Sequence, residues 1–371
     1  MKHKRVVVKI GSSSLTQKDG TLARDKLSYF SEAIVHLMNA GIEVILISSG
    51  AVSAGFRDLG YSSRPVTVAG KQAAASVGQG LLIEAYNHQF KQHGYVSSQL
   101  LLTRDVFSNE VQFSNVYQTL NELIKRKVIP IINENDSVAI DELTFGDNDM
   151  LSALVSGLIN ADALLLLTDI NGIYDKNPND DSTAKRYDHL DYISNQLIEE
   201  TSQNSTSKVG TGGMKSKLIA AQMATTLGVN CFIGTANTQN PLIDILHEKG
   251  DGTYIGQPEN VHVRKHKQWI AFHSNTKGRI LVDDGAKQAL LSEGKSLLAA
   301  GILAVEDEFE ADDVIEIYHN RQLIAKGQVN YSSEQLKKVR GLNSQDVMSL
   351  TDSTRQEVIH RNKLILTIQE D

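Results

Sequence analysis

The stretch RVVVKIG, residues 5–11, is a short run of mostly β-branched apolar residues that ends at a glycine. A run of this length and hydrophobicity is typical of a strand buried on both faces, as the strands of parallel sheets are. Five more stretches have the same character and are also predicted to be strands. They are IEVILISSG (42–50), YVSSQLLLT (95–103), VIPIINEN (128–135), ALLLLTD (163–169) and VNCFIG (229–234).

Longer segments with apolar residues spaced three and four apart lie between these runs, and this spacing predicts helices. Alternating strands and helices predict βαβ units, and therefore an α/β fold with an open, mainly parallel sheet sandwiched by helices. Ligands of such sheets bind beyond the carboxyl ends of the strands, so the polar residues that follow each strand are the candidates for a site. The predicted helices are residues 22–41, 71–90, 115–127, 149–161 and 214–228.

The alternation stops near residue 250, and the stretch that follows contains Gly, Pro, His and a short basic cluster. After it, short strand-like runs with Gly or Asn turns surround one helical segment, which predicts a small, mostly β second domain. We predict a first domain over residues 1–255, a linker over 256–266 and the second domain over 267–345. The tail, residues 346–371, is mostly polar apart from LILTI and stays unassigned.

Composition excludes several classes of protein. The 371 residues are 41% apolar and 22% charged, and the formal net charge of -7 gives no electrostatic reason to expect a nucleic-acid partner. The only cysteine, Cys231, rules out an internal disulfide framework and a cysteine-based zinc site. No apolar run approaches the roughly 18 residues of a membrane span, and the N-terminal apolar run is too short for a signal peptide. We therefore expect a cytoplasmic protein without membrane contact.

The ends of the first two predicted strands carry small residues and one lysine. Lys9 precedes a glycine and three serines, and it is either a ligand-binding lysine or an exposed strand end. The second strand runs into SSGAVSAG (48–55), whose small residues let a ligand approach the first N–H groups of a helix. Small residues also suit tight packing of a strand against a helix, so this stretch is weak support when taken alone.

The fourth predicted strand ends in NENDS (133–137), and a second polar stretch, FGDND (145–149), follows shortly after. Helix capping is enough to explain Asp147 or Asn148, because a helix is predicted to begin there. A cap needs one such residue, however, and here three acids and amides follow one another. Asn and Asp side chains together can bind both the amine and the carboxylate of a small zwitterion, so we predict that these two stretches are functional.

The fifth strand ends at Thr168 and Asp169, and the stretch KVGTGGMKSK (208–217) precedes the last predicted helix of the first domain. A Gly-rich loop with lysines at a helix N-terminus is typical of phosphate binding. It does not fit the Walker pattern, because Met214 stands before Lys215, and it does not fit the dinucleotide pattern either. Lysines and backbone N–H groups stabilise a transferring phosphoryl group. The chain is therefore predicted to be a phosphotransferase that acts on a small polar acceptor.

The ordered set of these motifs resembles the amino acid kinase family. The resemblance is carried by VVVKIGSSSL, SSGAVSAG, INENDSV, FGDNDMLSAL, LLTDINGIYDKNP and GTGGMKSKL. The second domain resembles the small β-rich PUA module that many bacterial members carry, so the resemblance covers essentially the whole chain. It implies ATP-dependent phosphorylation of the side-chain carboxylate of L-glutamate to L-glutamyl 5-phosphate, the first step of proline biosynthesis.

The resemblance also implies roles for individual residues. Lys9 and Lys217 match the catalytic lysines that stabilise the phosphoryl group, and Asp149 matches the catalytic acid that holds them in position. Mg²⁺ is expected with ATP, bound through the phosphate oxygens and not by a metal site of the protein. The substrate-binding positions are Ser49, Gly50, Asn133, Asp136 and Asn148. The nucleotide-binding positions are Lys9, Thr168, Asp169, Thr211, Gly212, Gly213, Met214, Lys215, Ser216 and Lys217.

Partners and regulation are implied in the same way. The family implies feedback inhibition by proline at or overlapping the glutamate site, and assembly into a homo-oligomer, either a dimer or a tetramer. Residues 264–345 carry similar numbers of acids and bases, whereas an RNA-binding surface is visibly basic. We therefore expect the PUA-like domain to have a structural or regulatory role.

Two alternatives stay open at this point. Instead of phosphorylating glutamate, the chain is then another member of the same family, such as N-acetylglutamate kinase or aspartokinase, or it is an RNA-binding PUA protein with an inactive kinase half. The second alternative requires a degenerate catalytic set, and Lys9, Asp149 and Lys217 are all present.

Overall fold

The computed structural model describes most of the chain, which divides into two compact units. One unit comprises Met1–Val106 and Ser114–His262, and the other comprises Phe107–Phe113 and Val263–Asp371. The predicted domain boundaries at residues 255, 266 and 345 stay predictions. The described residues are 4–17, 19–103, 105–138, 147–176, 178, 181, 183–203, 213–256, 276–350 and 355–366.

The first unit is built on an eight-stranded sheet, with a separate two-stranded sheet formed by β6 (Ile173–Tyr174) and β7 (Arg186–Tyr187). The strands of the large sheet are β1 (Arg5–Ile10), β2 (Glu43–Ser48), β3 (Ser97–Leu102), β4 (Ile129–Glu134), β5 (Ala163–Leu167), β8 (His189–Leu190), β9 (Asn230–Gly234) and β10 (Gly252–Ile255).

The order of the large sheet is β3-β4-β2-β1-β5-β9-β10-β8. Neighbouring strands from β3 to β9 in this order are all parallel, and β10 is antiparallel to β9. All six strands predicted from the sequence lie in the parallel part. The expectation of an open, mainly parallel sheet is therefore confirmed, and the carboxyl ends of these strands meet at one edge.

The five helices predicted for the first domain are present, together with shorter ones. Among the described residues of either unit, no helix is both long and apolar enough to cross a membrane. The helices between residues 12 and 246 are α1 (Ser12–Leu15), α2 (Arg24–Asn39), α3 (Ala51–Gly55), α4 (Val68–Gln92), α5 (Asp105–Ser108), α6 (Glu110–Lys125), α7 (Asp147–Leu158), α8 (Asn195–Gln203), α9 (Met214–Thr226) and α10 (Pro241–Leu246).

Helices cover both faces of the large sheet. On one face Val6, Val8 and Ile10 of β1 share a buried core with apolar residues of α2, α4 and α10. On the other face α7 packs on β1, β2, β4 and β5, and α9 packs on β5 and β9. Because successive side chains of a strand point to opposite faces, Val7 and Lys9 face α7. The pattern of β1 therefore places a lysine in the interior beneath α7.

Two glycines bring α3 and α4 into close contact. A Cβ atom at Gly78 would lie 1.9 Å from the carbonyl oxygen of Ala51, and one at Gly55 would lie 2.2 Å from that of Ala74. Any larger side chain at either position would collide with backbone. The small residues that follow β2 therefore serve tight packing of helix against helix, in addition to any ligand that they admit.

The second unit is rich in strands and has a core of its own. Its five-stranded sheet has the order β13-β11-β14-β15-β17, and β12 pairs with β16. Its described elements are β11 (Gly278–Val282), α11 (Asp284–Leu291), β12 (Leu297–Leu298), β13 (Ile302–Glu306), β14 (Val314–His319), β15 (Gln322–Gln328), α12 (Ser333–Val339), α13 (Ser344–Leu350), β16 (Glu357–Ile359) and β17 (Leu364–Leu366).

The C-terminal tail, which the sequence left unassigned, contributes two of these strands. Leu364–Leu366 pairs antiparallel with β15, and Glu357–Ile359 pairs antiparallel with Leu297–Leu298. Val358, Ile359 and Leu364 are buried in the core of the unit. The described part of the tail is thus integral to the second unit.

Candidate active site

Three ionised side chains meet beneath the carboxyl ends of β1 and its neighbours. Asp149 Oδ1 lies 2.5 Å from Lys9 Nζ, and Asp149 Oδ2 lies 3.3 Å from Lys217 Nζ. The side chains of Lys9, Asp149 and Lys217 are 5%, 1% and 7% exposed, so the charges are almost fully removed from water. We call these three residues the ionic cluster. Two ammonium groups and one carboxylate together carry more positive than negative charge, which attracts an anion.

Each member of the ionic cluster comes from a different element. Lys9 is on β1, on the face that α7 covers. Asp149 is the third residue of α7, where the free N–H groups of the first turn favour a negative charge. Lys217 is in the first turn of α9, whose N-cap residue, Gly213, has no side chain to satisfy the N–H groups of that turn. An anion that reaches the lysines therefore also reaches the backbone N–H groups at the start of α9.

Burial and charge act against each other in the ionic cluster. Burial alone raises the pKa of the Asp149 carboxyl, but the charges of Lys9 and Lys217 hold this pKa below its ordinary value. Burial lowers the pKa of the Lys217 ammonium, and the Asp149 charge opposes this while the Lys9 charge adds to it, so the pKa stays below its ordinary value. A second anion beside Lys217 raises its pKa again, which couples protonation of this lysine to phosphate binding.

The two lysines in the first turn of α9 differ in burial. Lys215 is exposed, whereas Lys217 is buried, because residues two apart point to different sides of a helix. Ser216 Oγ lies 2.8 Å from both Asp149 Oδ2 and the carbonyl oxygen of Gly213, so its hydroxyl is shared between two acceptors. Among the nucleotide-binding positions predicted in this loop, Met214 is half-buried, and Thr211 and Gly212 lie outside the described residues.

Neutral side chains form a second group beside the ionic cluster, beginning at Asn148. Asn148 Nδ2 donates to Ser49 Oγ at 2.8 Å and to Asn133 Oδ1 at 2.9 Å. Asn133 Nδ2 donates to Gln79 Oε1 at 2.8 Å, and the backbone N–H of Glu134 donates to Asn148 Oδ1 at 3.2 Å. We call Ser49, Gln79, Asn133 and Asn148 the amide cluster. It joins the carboxyl ends of β2 and β4 to α4 and α7.

The remaining substrate-binding positions lie on the same strand ends. Gly50 follows β2 and has a φ of 116°, a left-handed conformation that favours glycine. Asp136 is half-buried, two residues beyond β4. The structure thus brings Ser49, Gly50 and Asn133 to the carboxyl edge of the sheet, as predicted for a ligand site.

Thr168 and Asp169 directly follow β5 at the same edge. The backbone N–H of Thr168 donates to the carbonyl oxygen of Gly234 at 3.0 Å, and Thr168 Oγ1 donates to Asp169 Oδ1 at 3.1 Å. The Asp169 carboxylate is close enough to raise the pKa of Lys217, although burial dominates. Asp169 therefore connects the predicted nucleotide-binding residues that follow β5 with Lys217 of α9.

Gln79 is a member of the amide cluster that sequence reasoning missed. It lies in the middle of α4, away from the strand ends where the sequence predicts ligand-binding residues. The available signal is a polar residue directly after Gly78, the glycine at which α4 approaches α3 most closely. Without the contact to Asn133, 54 positions away along the chain, that signal indicates only a helix surface.

A parallel sheet with an acid and two buried lysines at its carboxyl edge is an arrangement suited to a phosphotransferase. The model described as the amino acid kinase family matches residues 4–235, and the chain belongs to that family. The model of the PUA domain matches residues 278–351. Both resemblances inferred from the sequence are confirmed.

Two curated relatives are both glutamate 5-kinases. The chain is 54% identical to the glutamate 5-kinase of Halalkalibacterium halodurans, over 100% of this chain and 99% of that one. It is 52% identical to the glutamate 5-kinase of Geobacillus kaustophilus, over the same shares of the two chains. Among solved structures, the UMP kinase of Ureaplasma parvum is 17% identical over 69% of this chain and 100% of that one, with a TM-score of 0.47.

Proposed function

We propose that this protein catalyses the ATP-dependent phosphorylation of the side-chain carboxylate of L-glutamate, which gives L-glutamyl 5-phosphate in the first step of proline biosynthesis. The observation that carries the proposal is the buried ionic cluster, whose Asp149 is the direct chain neighbour of Asn148 in the amide cluster. A site for a phosphoryl group and a site for a small polar acceptor are therefore adjacent. The names of the relatives support glutamate as that acceptor.

The ionic cluster is the phosphoryl-transfer half of the site. Lys9 and Lys217 would stabilise the negative charge on the γ-phosphoryl group as it moves to the acceptor carboxylate. Asp149 would act as a positioning acid, because a carboxylate between two ammonium groups offsets their mutual repulsion. Fixed charges in a site that excludes water need no reorganisation during the reaction.

We propose that ATP binds at the lysines and at the backbone N–H groups that begin α9. We assign nucleotide binding to Lys9, Thr168, Asp169 and the segment from Thr211 to Lys217. Among the described residues, no group of three or more His, Cys, Asp or Glu side chains could hold a metal ion. We propose that Mg²⁺ binds through the phosphate oxygens of ATP, where it would neutralise charge.

The amide cluster is the acceptor half of the site. Ser49 and the backbone at Gly50 would offer hydrogen bonds to a carboxylate, Asn148 would hold the Ser49 hydroxyl while Asn133 holds Asn148, and Asp136 would offer a charge to the amine. Such a mixture of donors and one acid can bind a zwitterion, because both the carboxylate and the amine of the ligand then have a partner and neither charge is buried unpaired.

The acceptor is identified by trapping the acyl phosphate. The protein is incubated with ATP, Mg²⁺ and hydroxylamine, and the hydroxamate is measured with L-glutamate, N-acetylglutamate or L-aspartate. We expect the γ-hydroxamate with L-glutamate. Hydroxamate from N-acetylglutamate or aspartate alone would show that the chain is another kind of amino acid kinase. No hydroxamate or ATP turnover with any of them, together with salt-sensitive RNA binding, would favour the inactive RNA-binding alternative.

Regulation and assembly are part of the proposal. We propose that proline inhibits by binding at or overlapping the glutamate site, that the kinase domain forms a homo-oligomer, and that the enzyme is cytoplasmic. Inhibition by proline that is overcome by raising glutamate tests the first point, and the mass in solution by light scattering tests the second.

A further inference from the structure

The hydrogen-bond directions in the amide cluster follow from one backbone group. A backbone N–H can only donate, so the atom of Asn148 that faces the Glu134 nitrogen at 3.2 Å is its oxygen. The Asn148 nitrogen therefore faces the other way, and its two protons go to Ser49 Oγ and Asn133 Oδ1. Both donors of Asn148 are used within the protein.

The same reasoning extends to Asn133 and Gln79. Because Asn148 donates, Asn133 presents its oxygen to Asn148, and its nitrogen is turned toward Gln79. Gln79 then has to present its oxygen, at 2.8 Å, since a nitrogen there would place two donors face to face. Every amide in the cluster thus has one allowed orientation, and Gln79 is the terminal acceptor.

The orientation of the Asn148 amide determines where the Ser49 hydroxyl can donate. Ser49 Oγ accepts from Asn148, so the Ser49 proton is directed to a different acceptor. A carboxylate is an acceptor without protons of its own, whereas an amine offers donors. Ser49 oriented in this way favours a carboxylate oxygen of the substrate and disfavours a donor at that position.

The close contact of α3 and α4 brings Gln79 to the cluster. Gly78 lies so close to the carbonyl oxygen of Ala51 that no residue with a side chain fits at position 78. Gln79 is the next residue of α4. The hydrogen bond from Asn133 to Gln79 spans 54 positions of the sequence. Packing of two helices is thereby connected to the orientation of an amide at the end of β4.

We propose that Gln79 is a positioning residue for the acceptor: its oxygen holds Asn133, and through Asn133 and Asn148 it directs the Ser49 hydroxyl to a substrate carboxylate. Gln79 acts through the relay and not by contact with the reacting atoms. The inference rests on the proposed function for the identity of the acceptor, and it applies to any acceptor whose carboxylate is bound by Ser49.

Two substitutions at Gln79 separate the relay from other effects. Gln79→Met removes the acceptor at similar size, and we expect KM for glutamate to rise about tenfold, the scale of a lost hydrogen bond in a site, with kcat within about threefold. Gln79→Glu keeps an oxygen for Asn133, so KM is expected to stay within about threefold of wild type. The order of the two KM values is informative. A simple charge effect predicts that the anionic Gln79→Glu variant binds anionic glutamate worse than the neutral Gln79→Met variant does.

Coupling to Ser49 is the second test. If Gln79 acts through Ser49, Gln79→Met has little further effect on KM in a Ser49→Ala background, whereas independent contributions add. Gln92→Met, the same change at the exposed end of α4, is the control and is expected to leave KM for glutamate unchanged. KM for ATP is measured in every variant and is expected to stay near wild type, as is the melting temperature of Gln79→Glu.

The outcomes separate this inference from the proposed function. Wild-type KM in Gln79→Met, a worse KM in Gln79→Glu than in Gln79→Met, or full additivity with Ser49→Ala would each overturn the role of Gln79. If the wild-type enzyme phosphorylates N-acetylglutamate or aspartate and not glutamate, the proposed function fails. The same variants are then measured with that acceptor, whose carboxylates test the relay equally well.

Discussion

The ionic cluster and the amide cluster meet at the first turn of α7, where Asn148 belongs to one and Asp149 to the other. The ionic cluster holds its parts by charge, with ion-pair distances of 2.5 and 3.3 Å between almost fully buried groups. The amide cluster is neutral, and its hydrogen bonds of 2.8 to 2.9 Å between side chains each have a single allowed direction.

The difference corresponds to what each half of the site has to do. Charge acts strongly on a phosphoryl group, whose negative charge is large and shifts during transfer. A neutral network with fixed directions distinguishes a carboxylate from an amine without placing an unpaired charge in the interior. Damage to the ionic cluster should therefore lower kcat, and damage to the amide cluster should raise KM for the acceptor.

The largest effect is expected at Lys217. Lys217→Ala removes a preorganised buried charge, and we expect kcat to fall by at least about a hundredfold. Lys215→Ala removes an exposed lysine from the same helix. Because a solvent-exposed charge contributes little, we expect KM for ATP to rise only a few fold and kcat to stay within about threefold of wild type. Steady-state kinetics with both substrates varied measure the two constants. Equal losses of kcat in the two variants would contradict the distinction between the buried and the exposed lysine.

An exchange of carboxylate for amide tests the ionic cluster with little change of shape. Asp149→Asn leaves two buried ammonium groups without their anion, so kcat is expected to fall about ten- to a hundredfold. The Asp149 charge raises the pKa of Lys217, so this variant lowers that pKa further. If Lys217 works as the ammonium, activity is lost as pH rises through its pKa, and this loss moves to lower pH in the variant.

The measurement is kcat/KM from about pH 6 to about pH 10, compared between wild type and Asp149→Asn. An alkaline limb that stays at the same pH in the variant would show that the protonation of Lys217 does not control the reaction.

The fold was largely predictable from the sequence, because its parallel strands are local apolar runs. RVVVKIG and the five similar stretches all became strands of one sheet. The tail was not predictable, since Leu364–Leu366 is a strand only by pairing with Gln322–Gln328. Pairing over that distance depends on packing and leaves no pattern in three residues.

The site was predictable where its residues follow strands. Lys9 and Asn133 lie at strand ends, and the resemblance to the family added Asp149 and Lys217. Residues alone could not tell an exposed Lys9 from a buried one, because that depends on α7 covering its face of the sheet. Gln79 was not predictable, since it reaches the site through the contact between two helices.

Replacement of Asn148 by aspartate, which reverses the carboxylate-to-amide exchange described for Asp149, tests the amide cluster. Asn148→Asp replaces two donors by acceptors, so neither Ser49 nor Asn133 receives its hydrogen bond, and KM for glutamate is expected to rise about tenfold or more. We expect kcat to stay within about threefold. Asn148→Ala removes the donors without adding charge, and it separates loss of orientation from repulsion of the substrate. A fall in kcat with unchanged KM for glutamate in both variants would mean that the two halves are not functionally distinct.

The smallest effect is expected at Ser216, whose hydroxyl is shared between Asp149 and the carbonyl oxygen of Gly213. The pKa of Asp149 is lowered in the folded protein, so its stabilising contribution is present above the pKa of the unfolded chain and is lost as pH falls through the folded pKa. Ser216→Ala removes one of the interactions that lower this pKa, so the loss of stability is expected to begin at slightly higher pH. The midpoint of thermal unfolding, measured from about pH 3 to about pH 7, follows this shift.

Ser152→Ala is the matched control for that measurement, because Ser152 Oγ donates to the backbone carbonyl of Asp149 at 2.6 Å and not to its carboxylate. It is expected to lower the unfolding temperature at every pH without moving the acid transition. We expect kcat of Ser216→Ala to fall only about threefold, since Lys9 and Lys217 still hold the carboxylate. An acid transition that shifts equally in both variants would mean that lost packing, and not the pKa of Asp149, sets the pH at which the protein loses stability.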